Sequence, residues 1–228
     1  MMEKTIQQNN SKEKKETNQE TNQETISQMT QTPNVDDFSI THPLHSPWVF
    51  WAMVQKKQTA QNDWQSQLVK IYKCETVEEF WGLVDNIRKP SEIENWNQLF
   101  LFKDGILPEW EDIENKDGGS WQIQVKKPNP KSRNRNWSER IDNAWKNISL
   151  SLIGEQFPNS ELVCGAAVTI RPAFCRISLW TKFSDEENQM KIGRHFKTDL
   201  EGFSENITFC FHSDRPKQQR GNQPKYKI

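Results

Sequence analysis

The chain has 228 residues, with 30 Lys plus Arg against 31 Asp plus Glu and a formal charge of −1. That balance argues against coating of long nucleic acid by bulk charge, but leaves room for a short contact with a few phosphates. At 33% hydrophobic and 27% charged residues the chain reads as one folded domain with polar ends. No stretch reaches the roughly eighteen apolar residues of a membrane helix, and the first residues lack the apolar core of a secretion signal.

Residues 1–35 read as a disordered arm of Gln, Glu, Asn, Thr, Ser and Lys, without period two or 3.6. A domain is expected over 36–213 and a basic tail over 214–228, where five basic residues face one acid. A second basic run lies between Lys126 and Arg140.

Order is expected from His42-Pro43-Leu44. Pro47 to Met53 reads as a strand that is apolar on both faces, and Leu68 to Tyr72 as a second. Thr76 and Glu79 form a capping box ahead of Val77, Phe80, Trp81, Val84 and Ile87, an amphipathic helix that Pro90 ends. Leu99 to Phe102 is a short strand before the turn at Lys103-Asp104-Gly105. Gly118-Gly119 leads into Trp121 to Val125, which alternates cleanly. Ser138 to Leu152 is a second helix with Ile141, Trp145, Ile148 and Leu152 on one stripe. Val163 to Ile170 and Arg176 to Thr181 are strands around Pro172. Ser184 with Glu187 is expected to cap a third helix to about Leu200, and Ile207 to Phe211 is a last strand. Short strands with three inserted helices point to an α+β domain, one curved antiparallel sheet with the helices on its convex side.

Four Cys at 74, 164, 175 and 210 form no CxxC pair, and four His are scattered. Buried reduced thiols in an intracellular setting are expected, with no metal site. No GxSxG, HExxH, Walker or GxGxxG motif is present, and the acid pairs Glu78-Glu79 and Glu186-Glu187 sit in helix first turns, where they serve as caps. Catalysis and a cofactor are therefore not expected.

Ten Trp and twelve Phe stand against two Tyr. Trp110 lies in a loop with Glu109, Glu111 and Asp112. A loop indole can stack on a flat base while a neighbouring carboxylate accepts N1–H and the N2 amine of guanine, a pair that adenine does not offer. The alternative is that Trp110 plugs the open end of the sheet. Trp64, in the polar loop Gln61 to Gln65, is a second plate. Two indoles around a cationic base such as 7-methylguanine gain cation–π attraction of about 1–2 kcal/mol per face once desolvated. Arg171 and Arg176, with Lys182 beyond them, suit a short phosphate chain, or else form a solvated rim. Trp180 either closes the base pocket or fills the core.

The ordered set His42-Pro43-Leu44 with Trp48 and Trp51, Val77 to Trp81, Leu101 to Ile106 through Pro108 and Trp110-Glu111-Asp112, Gly118-Gly119 before Trp121, Leu152 to Glu155, Cys164-Gly165-Ala166 and Ile192-Gly193-Arg194 resembles the eukaryotic translation initiation factor 4E family, the messenger-RNA cap-binding proteins. The resemblance spans about residues 42–212. It implies an eight-stranded sheet backed by three long helices and a 7-methylguanosine cap in the concave face. It implies Trp64 and Trp110 as stacking plates, Glu111 at the guanine edge, Trp180 against the methyl group, and Arg171 and Arg176 at the phosphates. It also implies a partner face of His42, Pro43, Val77, Trp81, Leu150 and Gly154. Scaffold factors of the 4G type and competing 4E-binding proteins would meet there, in a cytoplasmic setting with the nucleus left open. Departures from the family pattern include a longer loop before Trp64, Ser120 and Ala173 where basic residues are common, and Lys146 and Asn147 on the partner helix. A cap-binding repressor or carrier with a divergent partner face, and an aromatic-rich interaction domain without a base site, are the competing functions.

Overall fold

The computed structural model describes residues 40–54, 67–128, 136–217 and 224–228. The chain divides into Met1–Thr41 and His42–Ile228, and the fold is that of the second unit. Trp64 and the arm at 1–35 lie outside the described residues, as do Lys131, Arg133 and Arg135 of the second basic run.

The strands are β1 (Pro43–Met53), β2 (Leu68–Thr76), β3 (Gln98–Lys103), β4 (Gly119–Lys126), β5 (Val163–Ile170), β6 (Phe174–Thr181), β7 (Thr208–Phe211) and β8 (Tyr226–Lys227). They form one antiparallel sheet in the order β2-β1-β3-β5-β6-β4-β7-β8. The long helices are α1 (Val77–Asn86), α2 (Trp137–Ile153) and α3 (Glu186–Asp199). The α+β class with its curved sheet and three long helices is the one expected.

Strand alternation sorts the side chains. Leu99 and Leu101 of β3, Ile123 and Val125 of β4, Val168 and Ile170 of β5 and Ile177 and Leu179 of β6 join Phe80, Ile141, Ile148, Leu152, Ile192 and Phe196 of the helices in the main core. The opposite face carries a smaller cluster of Phe100, Phe102, Cys164, Ala167 and Trp180, with Ile106 from the loop after β3. Thus β3, β5 and β6 are buried on both faces although only one bears helices. The loop after β3, which supplies Ile106, covers part of that second face.

Two close approaches explain why glycine stands where it does. A Cβ at Gly165 would lie 2.4 Å from the Leu101 carbonyl and 2.5 Å from the Phe102 ring. A Cβ at Gly193 would lie 2.5 Å from the Trp121 ring, so α3 reaches the sheet only with glycine there.

The capping box of α1 forms as expected: Glu79 N–H donates to Thr76 Oγ1 at 3.2 Å and Thr76 N–H donates to Glu79 Oε2 at 3.1 Å. The third helix begins differently. Its cap is Asp185, whose Oδ1 accepts from Asn188 N–H at 2.9 Å, while the Ser184 hydroxyl donates to the Asp185 carbonyl. A carboxylate, one bond longer than a serine hydroxyl and negatively charged, is also favoured by the positive helix end. The expected tail at 214–228 needs a larger correction. Residues Tyr226–Lys227 pair with β7, and Tyr226 packs on Trp121 and Phe209 with ring centroids 6.3 and 5.5 Å apart. Tyr226 and Ile228 are the apolar residues of that segment, and both reach the main core.

Candidate functional site

Register places three rows of side chains across the helix-free face. The first is Phe102, Gly165, Trp180 and Ser120. The second is Trp51, Phe100, Ala167, Ser178 and Gln122. The third is Met53, Gln98, Thr169, Arg176 and Gln124. The face is therefore graded from aromatic at one end of the strands to polar and basic at the other.

The third row carries hydrogen bonds on either side of the Thr169–Arg176 pair. Gln98 Nε2 donates to Met53 Sδ at 3.2 Å, Thr169 Oγ1 donates to Gln98 Oε1 at 2.9 Å, and Arg176 Nη2 donates to Gln124 Oε1 at 3.0 Å. Arg171 follows the end of β5, with its guanidinium 5.1 Å from the Trp96 ring. Burial pushes Arg171 below the usual guanidinium range, with the nearby charge of Arg176 adding to it, and burial acts likewise on Arg176. Two guanidinium groups that pay a solvation cost beside each other are set to gain from an anion.

A cleft of about 250 Å³ opens on this face, lined by Met53, Gln98, Phe100, Pro108, Glu109, Trp110 and Trp180. Trp180 forms its floor, edge-on to Phe102 at 5.4 Å and 4.3 Å from the His212 ring. Trp110 stands at its mouth and is 39% exposed. The loop that carries Trp110 is braced from within. Asp112 Oδ2 accepts from Leu107 N–H at 2.9 Å and its Oδ1 from Glu114 N–H at 2.9 Å. The fully buried Asn115 donates through Nδ2 to the carbonyls of Leu107 and Glu109 at 2.8 and 2.7 Å. An exposed indole on a loop so fixed is held ready for a partner.

The structure therefore brings Trp110 and Trp180 into one cleft, with Arg171 and Arg176 near the basic end of the same face. Glu111, beside Trp110, is exposed and does not line the cleft; Glu109, on its other side, does and is 8% exposed. Lys182 is turned to Glu114, with Nζ 2.5 Å from Oε2. Sequence reasoning missed Met53, Gln98 and Phe100, because only cross-strand register puts them beside Trp110. The nearest signal was the two-sided apolar character of β1 and β3.

The helical side carries the second candidate surface. His42 N–H donates to Glu78 Oε2 at 2.9 Å, its Nδ1 lies 2.6 Å from Glu78 Oε1, and its carbonyl accepts from Val77 N–H at 2.9 Å. Pro43 pairs with Thr76. His42, Pro43 and Val77 thus meet at the start of α1. Gly154 ends α2, with its N–H donating to the Leu150 carbonyl at 2.9 Å. The next residue, Glu155, accepts from Ser46 Oγ of β1 at 2.5 Å and ties this helix end to the same strand. Trp81 is 39% exposed and lines a groove of about 580 Å³ with Val84, Asp85, Arg88, Trp145 and Lys146 among its walls.

Among the described residues no group of three His, Cys, Asp or Glu side chains could hold a metal ion, and no helix is long and apolar enough to cross a membrane.

A sheet with helices on one face and, on the other, an indole-mouthed cleft with two arginines elsewhere on that face is the architecture of a ligand-binding protein rather than of a metal or nucleophile enzyme site. The family model for eukaryotic initiation factor 4E matches residues 43–227, and the chain belongs to that family. It is 39% identical over 188 residues to the tobacco (Nicotiana tabacum) eukaryotic translation initiation factor isoform 4E, covering 82% of this chain and 88% of that one. Among solved structures it is similar to C. elegans eIF4E-3 in complex with the 4E-binding protein Mextli, with a TM-score of 0.73 and 28% identity over 83% of this chain and 100% of that one. It is also similar to Ascaris suum eIF4E-3 in complex with the m7G cap, with a TM-score of 0.71 and 31% identity over 83% of this chain and 98% of that one.

Proposed function

We propose that this chain binds the 7-methylguanosine cap of messenger RNA in the cleft and recruits a 4G-type scaffold for translation initiation through its helical face. It is a binding protein, not an enzyme. The observation that carries the reading is the cleft itself: an exposed indole on a braced loop, a buried indole below it, a carboxylate beside them and two guanidinium groups at the basic end of the same face. The methylated purine is a cation, and a cation facing indole gains what a neutral guanine does not. Trp110 stacks on the base with Trp64, Trp180 meets the methyl group, Glu111 accepts from the guanine edge, and Arg171 and Arg176 bind the phosphates. Glu109 is a second reading for the edge, favoured by its burial in the cleft.

For the partner face, His42, Pro43, Val77, Trp81, Leu150 and Gly154 receive a short helix of the scaffold or of a 4E-binding protein. Such a face suits an amphipathic helix, because Trp81 is an exposed aromatic anchor of the kind that dominates interfaces. Lys146 in the Trp81 groove favours a partner whose motif differs from the apolar one. The proposed compartment is the cytoplasm, in keeping with four free thiols. Tryptophan fluorescence titration with 7-methylguanosine triphosphate and with guanosine triphosphate tests the cap reading. Quenching at much lower concentration with the methylated nucleotide is expected, and equal weak binding of the two overturns it.

A further inference from the structure

We infer that Trp96 is a stacking platform for the base that follows the cap, so that the site extends past the triphosphate onto the RNA chain. The inference rests on the cap reading and adds a subsite to it.

Trp96 lies in Glu94-Asn95-Trp96-Asn97, just before β3. Three observations set it apart. It is 50% exposed, more than Trp81 or Trp110 at 39% each. Its backbone sits at φ 78°, in the left-handed region that a bulky residue rarely occupies. Its ring is faced on one side by the Arg171 guanidinium at 5.1 Å.

The backbone conformation is imposed locally. Trp96 N–H donates to the Ile170 carbonyl at 2.7 Å and Ile170 N–H donates to the Asn97 carbonyl at 3.1 Å, so the segment is clamped to the end of β5. Glycine would meet that demand without cost. A tryptophan there leaves half of its surface in solvent and is strained, and strain held at a ligand-facing position points to use.

The direction of the RNA fits. The cap base lies in the cleft between Trp110 and Trp180. Its phosphates run toward Arg176 in the polar row and Arg171 beyond it. Arg171 touches Trp96, so a chain leaving the phosphates at Arg171 meets an indole next. Lys127 adds a cation nearby, with Nζ donating to Asn95 Oδ1 at 2.7 Å. Aromatic plates interleaved with basic side chains are how proteins hold single-stranded nucleic acid without reading its sequence, since every base has a flat face. The subsite should therefore accept any first base, with purines ahead of pyrimidines by stacking area.

The test compares 7-methylguanosine triphosphate, a capped tetraribonucleotide, and the same capped oligonucleotide with its first base removed. Wild type, Trp96→Gly and Trp96→Phe are titrated with each. Glycine relieves the strained φ, so Trp96→Gly should keep or raise the melting temperature. It should bind the capped tetranucleotide about 5- to 150-fold more weakly, the range of one base–aromatic stack, and bind the triphosphate within about twofold of wild type. Trp96→Phe should retain most of the affinity. The abasic ligand should bind wild type and Trp96→Gly alike. Equal losses for triphosphate and tetranucleotide would show that Trp96 serves Arg171 alone and would overturn the subsite. Unchanged affinity for the tetranucleotide would overturn it too. Wild-type protein that fails to bind the triphosphate at all would instead remove the cap reading, and this inference with it.

Discussion

Arg176 and Gln124 stand directly across β6 and β4 from one another, and the Arg176 Nη2 donates to Gln124 Oε1 at 3.0 Å. That bond fixes a guanidinium that has already lost part of its solvation, at the basic end of a face whose other end is aromatic. A preset arginine gives up less rotamer freedom when a phosphate arrives.

The first prediction concerns that pair. Arg176→Ala should weaken binding of 7-methylguanosine triphosphate about tenfold, the size of one lost charge-assisted hydrogen bond, while leaving binding of the bare nucleoside within about twofold. The slope of log affinity against log salt should flatten by about one. Gln124→Ala should act in the same direction with a smaller effect, because the charge remains and only its orientation is lost. Isothermal titration at several salt concentrations checks both. An Arg176→Ala loss that is equal for nucleoside and triphosphate would remove Arg176 from the phosphate role.

The edge-reading carboxylate can be assigned by the two residues flanking Trp110. Trp110→Ala should cost most of the cap affinity. Replacing the edge reader by Gln turns one acceptor into a donor that faces the guanine N–H groups, and an unpaired buried donor costs about 1–3 kcal/mol. The loss should fall on guanine-selective binding and be about tenfold or more. If Glu111→Gln produces it and Glu109→Gln does not, Glu111 turns into the cleft on binding. The reverse result would assign the edge to Glu109, which lines the cleft without ligand.

Much of this architecture is legible in the sequence. The capping box at Thr76 and Glu79, the alternation of Trp121 to Val125 and the apolar stripe of α2 are local patterns, and each forms as expected. Local patterns end where tertiary pairing begins. β1 reaches back to Pro43, but its pairing with β2 carries register shifts between Pro43 and Trp48 and between Phe50 and Trp51, which break simple alternation. β8 has two residues in a basic, proline-containing stretch, too short for any period. Trp110 stood out as a loop indole beside carboxylates and Trp64 as a tryptophan among polar loop residues that lacks a packing reason, whereas Trp180, inside β6, could equally have filled the core. The same logic applied to Asn95-Trp96-Asn97 would have found Trp96. Which strand neighbours complete the cleft was not readable, because Met53, Gln98 and Phe100 reach it through pairings across β1, β3 and β5.

The helical face yields a prediction about partner chemistry. Trp81→Ala should abolish capture of a 4E-binding-protein peptide while leaving cap affinity unchanged, since the groove and the cleft lie on opposite faces of the sheet. Lys146 is exposed in the same groove. Lys146→Leu should tighten binding of a peptide with an apolar helix face about three- to tenfold, the gain from burying apolar surface in place of a hydrated ammonium. Lys146→Leu without effect would place the partner helix away from that turn of α2.

Acid should loosen the start of α1 before it unfolds the domain. The side-chain hydrogen bond with His42, with the His42 backbone N–H in support, holds the Glu78 carboxyl down to about 2 from an ordinary 4.5. A carboxyl depressed in the folded state contributes stability that is fully present above its unfolded value and is lost as pH falls through the folded one. The window therefore runs from about 4.5 down to about 2. Amide exchange or a backbone probe at His42 and Val77 should show loosening over that range. Glu78→Gln should remove the pH dependence there and leave cap binding at neutral pH intact, because His42, Val77 and Glu78 line the partner side and not the cleft. A transition at His42 that persists in Glu78→Gln would assign the acid sensitivity to another carboxylate.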